Sequence, residues 1–189
     1  GVKCTHDATD IHVDNGLLQL HVFTAKQPDA ALFELRTSSG TAARAVLCNV
    51  PPVRSVNAVL RESGPVFADI CVAVVFDETR HYEVDLQVTQ SMDYVGLQER
   101  MTGFRKSDHA NMKIVWTGFQ PEYRICPYRG REPIDAYLQE DHRIPMQVMP
   151  FDSWVSWWTD KYISFEDVSI GQSAGLFVHH AEIWDDGEY

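Results

Sequence analysis

The amino-acid sequence predicts an all-β fold, an antiparallel β-sandwich with at most one or two short helices, on three observations. From His81 to Thr89, Tyr82, Val84, Leu86 and Val88 alternate with His81, Glu83, Asp85, Gln87 and Thr89. That is the period of two of a strand with one dry and one wet face. Strand-like segments follow one another from Val53 to Met101 with only Ser63-Gly64-Pro65 and Asp77-Glu78-Thr79 between the first three, the pattern of a meander. Turn signals recur every ten residues or so, as in a sandwich.

The elements follow in order. Ile11-His12-Val13 and Leu17 to Phe23 flank Asp14-Asn15-Gly16, and Asn-Gly between such segments signals a hairpin because both residues tolerate positive φ. Further strands are expected at Leu32 to Thr37, closed by Ser38-Ser39-Gly40, and at Ala45 to Val50, closed by Pro51-Pro52. Phe67 to Phe76 is apolar on both sides apart from Asp69, so it is expected to be covered on both faces at the centre of the core. Tyr94 to Met101 and Lys113 to Phe119 read as strands, with a polar connector from Phe104 to Asn111 between them. Between Gln120 and Pro150, five prolines forbid long ladders and imply an elaborated loop. Within it Glu132-Pro133 is expected to open a short helix, with Ile134, Tyr137 and Leu138 on one face. Strands return at Trp154 to Trp158, Tyr162 to Ile170 and Leu176 to Trp184, the last two separated by Gly171-Gln172-Ser173.

A chain of 189 residues, 44% apolar and 23% charged, has the composition and length for one real core, so a single domain over residues 1–189 is expected. Asp185-Asp186-Gly187 looks like a turn leading into another strand, so the chain is also expected to be the N-terminal part of a larger protein. A net charge of -11 and the lack of a Lys/Arg-rich run exclude the electrostatic footprint of a nucleic-acid binder. No apolar run approaches the ~20 residues that span a bilayer, so no membrane partner is expected. The four cysteines, Cys4, Cys48, Cys71 and Cys126, form no Cys-x-x-Cys pair, which argues against structural zinc. Cys71, in the most apolar segment, reads as a free buried thiol; the other three stay open.

Asn15-Gly16-Leu17-Leu18-Gln19-Leu20, Glu62-Ser63-Gly64-Pro65-Val66-Phe67-Ala68, Tyr82-Glu83-Val84-Asp85-Leu86 and Leu97-Gln98-Glu99-Arg100 together resemble the galactose-mutarotase-like β-supersandwich over about residues 10 to 101. That fold recurs in glycoside hydrolases and polysaccharide lyases. The resemblance implies a supersandwich and a carbohydrate-related role. Mutarotases use a histidine acid and a glutamate base, and no histidine or glutamate here aligns with that pair.

The residues that suit a glycan lie late in the chain. Trp154, Trp157 and Trp158, with Tyr162 beyond, form its densest aromatic group, and flat ring faces stack on the C-H face of a sugar. Adjacent Trp157 and Trp158 point to opposite faces of a strand, and burial is the usual fate of a large aromatic. Arg124, Arg129 and Arg131 cluster beside Tyr123 and Tyr128. A guanidinium fork matches a uronate carboxylate, although the same arginines also balance Glu122, Glu132 and Asp135 as surface pairs. His142 is the best candidate general base, with His179 and His180 as alternatives; neighbours on a strand face opposite ways, which speaks against a metal pair there. Asp185, Asp186 and Glu188 lack the loop of a calcium site. No nucleophile elbow, phosphate loop, dinucleotide fingerprint or zincin helix is present, so neither a metal nor another cofactor is expected.

Three functions follow. The first is a carbohydrate-binding or structural sandwich domain of an enzyme acting on a polysaccharide, uronate-containing in the sharpest form, alongside a further catalytic domain. The second is a self-contained sugar-active enzyme, an epimerase of mutarotase type or a polysaccharide lyase. The third is a structural or protein-interaction sandwich. The carbohydrate readings carry the expectation of a secreted or periplasmic address.

Overall fold

The computed structural model describes residues 1–7, 9–38, 40–126, 130–133 and 162–177. The strands are β1 (Lys3–His6), β2 (Asp10–Asp14), β3 (Leu18–Phe23), β4 (Ala31–Thr37), β5 (Ala42–Cys48), β6 (Ser55–Ser63), β7 (Phe67–Val75), β8 (His81–Thr89), β9 (Val95–Thr102), β10 (Asn111–Thr117), β11 (Tyr123–Cys126), β12 (Gly130–Pro133), β13 (Tyr162–Asp167) and β14 (Gln172–Phe177). A 3₁₀ turn at Lys106–Asp108 is the only helical element among the described residues. No helix there is long and apolar enough to cross a membrane. The chain divides into two compact units, Gly1–Gly118 and Phe119–Tyr189.

The first unit is an antiparallel β-sandwich. A six-stranded sheet in the order β1-β2-β3-β4-β5-β10 faces a four-stranded meander, β6-β7-β8-β9. Period-two alternation builds the core between them. Ile11, Val13, Leu20 and Val22 of the large sheet and Ile70, Val72, Val84 and Leu86 of the meander are fully buried in one cluster. Removing a side chain of this size from water stabilises by roughly 1.5–3 kcal/mol. A bulge between Ala31 and Phe33 inserts Leu32 into β4, so that three consecutive side chains, Ala31, Leu32 and Phe33, are buried. After the meander the chain returns as β10, which pairs with β5 from Asn111↔Cys48 to Thr117↔Ala42. The connection back requires Gly103, whose φ is +77° and where an added Cβ would lie 2.2 Å from the Thr79 carbonyl oxygen.

Several expectations shift. β7 lies at the centre of the core through Ala68, Ile70, Val72 and Val74, whereas its other face is only partly buried. Phe67, Asp69, Ala73 and Val75 are half-buried there, and only Cys71 is buried. The charged arms of the neighbouring strands shield this face, with Arg61 and Asp85 paired at 2.9 Å across it. Burial, with Asp85 opposite, pushes the Cys71 thiol up from its ordinary range. Cys71 is a free thiol, as are Cys4 and Cys48.

In the second unit the described strands form a four-stranded antiparallel sheet, β12-β11-β13-β14. Glu132 and Pro133, expected to open a helix, instead end β12, opposite Arg124 and Tyr123. Proline is tolerated there because β12 is an edge strand. Ile134, Tyr137 and Leu138 lie outside the described residues, as do the strand expected at Trp154 to Trp158 and residues 178–184 of the last one. β14 begins at Gln172, earlier than expected, because the turn is made by residues 168–171, with Gly171 at φ +63°.

Candidate functional site

The outward face of the large sheet carries the densest set of chemically able side chains among the described residues. Its register sets Thr5 opposite His12, His12 opposite His21, His21 opposite Glu34 and Glu34 opposite Arg44. One polar row therefore crosses five strands. The imidazoles of His12 and His21 stack with centroids 4.4 Å apart and planes 17° apart. His21 also meets the Phe23 ring at 4.6 Å, and the Arg44 guanidinium lies 5.0 Å from the Phe23 centroid. Both pack against Phe23, which is buried on this outward face.

Arg44 is fixed by two carboxylates. Its Nε donates to Asp29 Oδ2 at 2.9 Å and its Nη2 to Asp29 Oδ1 at 3.2 Å, while Nη1 donates to Glu34 Oε1. The Arg44 hydrogen bond holds the Asp29 carboxyl below the usual carboxylate range, and the same bond raises the guanidinium. Arg36 closes on the other oxygen of Glu34 at 3.4 Å. Glu34 is thus occupied on the Arg44 side of the row.

On the hairpin side, Asp10, His12 and His21 each offer a ligand-capable atom, and these atoms lie within 4.8 Å of one another. His21 Nε2 is 3.0 Å from Asp10 Oδ1. This buried nitrogen makes no hydrogen bond among the described residues. Asp10 is positioned by the turn before it. Asp7 Oδ1 accepts from the backbone N–H of Thr9 at 2.8 Å and of Asp10 at 3.0 Å. The Thr9 N–H above all holds the Asp7 carboxyl below its usual range. The Thr9 hydroxyl lies 2.9 Å from Asp10 Oδ2 and 3.0 Å from Asp7 Oδ1, and can donate to one of them at a time.

The hairpin turn explains why sequence reading missed this group. With Asn15-Gly16 as the two central residues, Asp14 would face Leu17 and His12 would face Gln19. In the structure Asn15 N–H donates to Leu18 O at 3.3 Å, and the central pair is Gly16-Leu17. Only Gly16 takes positive φ, +91°, as the first central residue of a II′ hairpin turn requires. The slip keeps every side chain on its expected face and moves each partner by two residues. It sets His12 opposite His21.

Of the residues singled out in the sequence, Arg124 lies on β11 and Tyr162 on β13. These strands are hydrogen-bonded neighbours, with Arg124 opposite Phe165 and Ile125 opposite Ser164. Tyr162 is three residues from Phe165, an odd separation, so the Arg124 and Tyr162 positions alternate to opposite faces of the ladder. Arg129, His142, Trp154, Trp157 and Trp158 lie outside the described residues, as do His179, His180, Asp185, Asp186 and Glu188. The turn joining β13 to β14 is tied by Asp167, which accepts from the Ser169 hydroxyl at 2.6 Å and from Gln120 N–H at 2.6 Å. These bonds hold its carboxyl below the usual range, the Ser169 hydroxyl contributing most.

No family model, curated protein or solved structure matches this chain.

Proposed function

We propose that this chain is a carbohydrate-binding or structural β-sandwich domain of a carbohydrate-active protein, with a uronate-containing polysaccharide as its preferred glycan. The observation that supports this reading is the pairing of β11 with β13. It sets the strand that enters the arginine-rich segment beside the strand that follows the tryptophan-rich segment, although the two are far apart in sequence. Bidentate donors for a carboxylate and ring faces for a sugar thereby start from neighbouring strands. The resemblance to the galactose-mutarotase-like supersandwich is compatible with the hairpin and meander order of residues 10–101. Because one fold serves many functions, the reading rests on the β11 and β13 segments.

The test is a binding screen of the chain against acidic and neutral polysaccharides, with absorbance monitored for newly formed unsaturated ends. Polygalacturonate is expected to bind more tightly than a neutral glucan, without new absorbance. The paired substitutions Arg124→Ala and Arg129→Ala should weaken that binding, more at low salt than at high, with the melting temperature unchanged. Absence of binding to every glycan would move the assignment to a structural or protein-interaction sandwich. New absorbance would establish a lyase.

A further inference from the structure

We propose that Asp10, His12 and His21 form a mononuclear site for a divalent transition-metal ion on the outer face of the six-stranded sheet. Two imidazoles and one carboxylate are the donor set of zinc, nickel and copper sites, whereas calcium and magnesium take oxygen ligands almost alone. The class of ion follows from that chemistry.

The geometry is close to what such an ion needs. Ligand atoms at about 2.1 Å from a tetrahedral ion lie about 3.4 Å from one another. Asp10 Oδ1 and His21 Nε2 already stand 3.0 Å apart, and the three ligand atoms span no more than 4.8 Å. His12 is exposed and free to turn, and His21 is half-buried. Near-parallel stacked rings cannot both aim a nitrogen lone pair at one ion, so loading must rotate His12 out of its stack on His21. The backbone under the ligands is firm, because His12 and His21 are direct cross-strand partners inside a continuous ladder.

The surroundings favour a cation. Among the described residues, His21 Nε2 has no hydrogen-bond partner to surrender. The Thr9 hydroxyl, 2.9 Å from Asp10 Oδ2, leaves Oδ1 directed at His21, the kind of outer-shell contact that orients a ligating carboxylate. Arg44 and Arg36, positive charges on this face, are paired with Asp29 and Glu34. Three protein ligands leave a tetrahedral ion one position for water or for a ligand brought by a partner molecule.

Calorimetric titration of the full chain with Zn²⁺ tests the proposal. One ion is expected to bind saturably, and the ring C–H resonances of His12 and His21 should shift together as it does. His12→Ala alters an exposed side chain and should leave the metal-free melting temperature unchanged while weakening Zn²⁺ binding at least roughly tenfold. Asp10→Asn should weaken it in the same direction. No uptake of Zn²⁺ by the parent chain would overturn the site. So would an unchanged affinity in His12→Ala, since the ion would then be held elsewhere. Both outcomes are independent of glycan binding.

Discussion

Asn15 shows how much one side chain can carry. It is 7% exposed, and its amide uses all four of its hydrogen-bonding positions. Oδ1 accepts from Leu17 and Leu18 N–H at 2.9 Å each, and Nδ2 donates to the carbonyl oxygens of Thr89 and Met92 at 2.8 Å each. The first pair builds the hairpin turn of the large sheet. The second ties that turn to the end of β8 in the facing sheet. Asn15→Ala removes at once the side-chain acceptor of the Leu17 and Leu18 N–H groups and the donor to the Met92 carbonyl, and leaves the Thr89 carbonyl only its bond from Met92 N–H, so a loss of about 2–4 kcal/mol is expected in urea unfolding. A loss below about 0.5 kcal/mol, the level of an ordinary surface change, would show that water replaces these bonds at no cost. The dipeptide Asn-Gly made the hairpin legible, but not this division of labour. Gly16 supplies the backbone angle, whereas Asn15 supplies a long-range anchor, and only the folded chain reveals its partners.

At the scale of elements, strands with a dry and a wet face were readable from period two alone. β3 and β7 to β10 fall within two or three residues of their expected bounds, and β8 matches the alternation outright, with Tyr82, Val84, Leu86 and Val88 at 0% exposure. β1 was not legible, because Lys3-Cys4-Thr5-His6 has no alternating apolar face and is held as an edge strand by its pairing with β2. The Asp10, His12 and His21 group was hidden for a related reason. Its members are brought together by register across a turn, and sequence spacing does not encode register. The same logic makes the register of β8 testable. Leu86→Ala should cost about 2–4 kcal/mol, whereas Gln87→Ala, exposed on the other face, should cost less than about 0.5 kcal/mol. Equal losses in chemical denaturation would mean that the strand is turned over.

For the molecule as a whole, the shifted groups set a window of pH in which the fold is most stable. Asp77 accepts from the N–H groups of Thr79 and Arg80 and pairs with the Arg80 guanidinium, which holds its carboxyl far below the usual range, the Thr79 N–H contributing most. Asp7, Asp29 and Asp167 are shifted the same way. A depressed folded-state pKa contributes stability above the unfolded value of about 4 and loses it as pH falls further, so the acid limb begins there. Tyr82 sets an opposite limb. Its ring is fully buried, and its hydroxyl donates to Glu99 Oε1 at 2.7 Å beside Met112 Sδ at 3.5 Å. Glu99 lies on β9 of the meander and Met112 on β10 of the facing sheet. Burial foremost, then the Glu99 charge, pushes the phenol up far beyond its ordinary value. The folded state therefore keeps its proton where the unfolded chain, with a pKa of about 10, gives it up. A raised folded-state pKa contributes stability that is complete below about pH 10 and shrinks above it, by at most about 1.4 kcal/mol per pH unit for one proton. Tyr82→Phe should lower stability at neutral pH by about 1 kcal/mol, through loss of the bond to Glu99. It should also flatten the alkaline limb relative to the parent, so that the two curves of unfolding free energy against pH converge above about pH 10. Parallel curves through that range would show that the phenol ionises equally in both states and that the sandwich admits water to Tyr82.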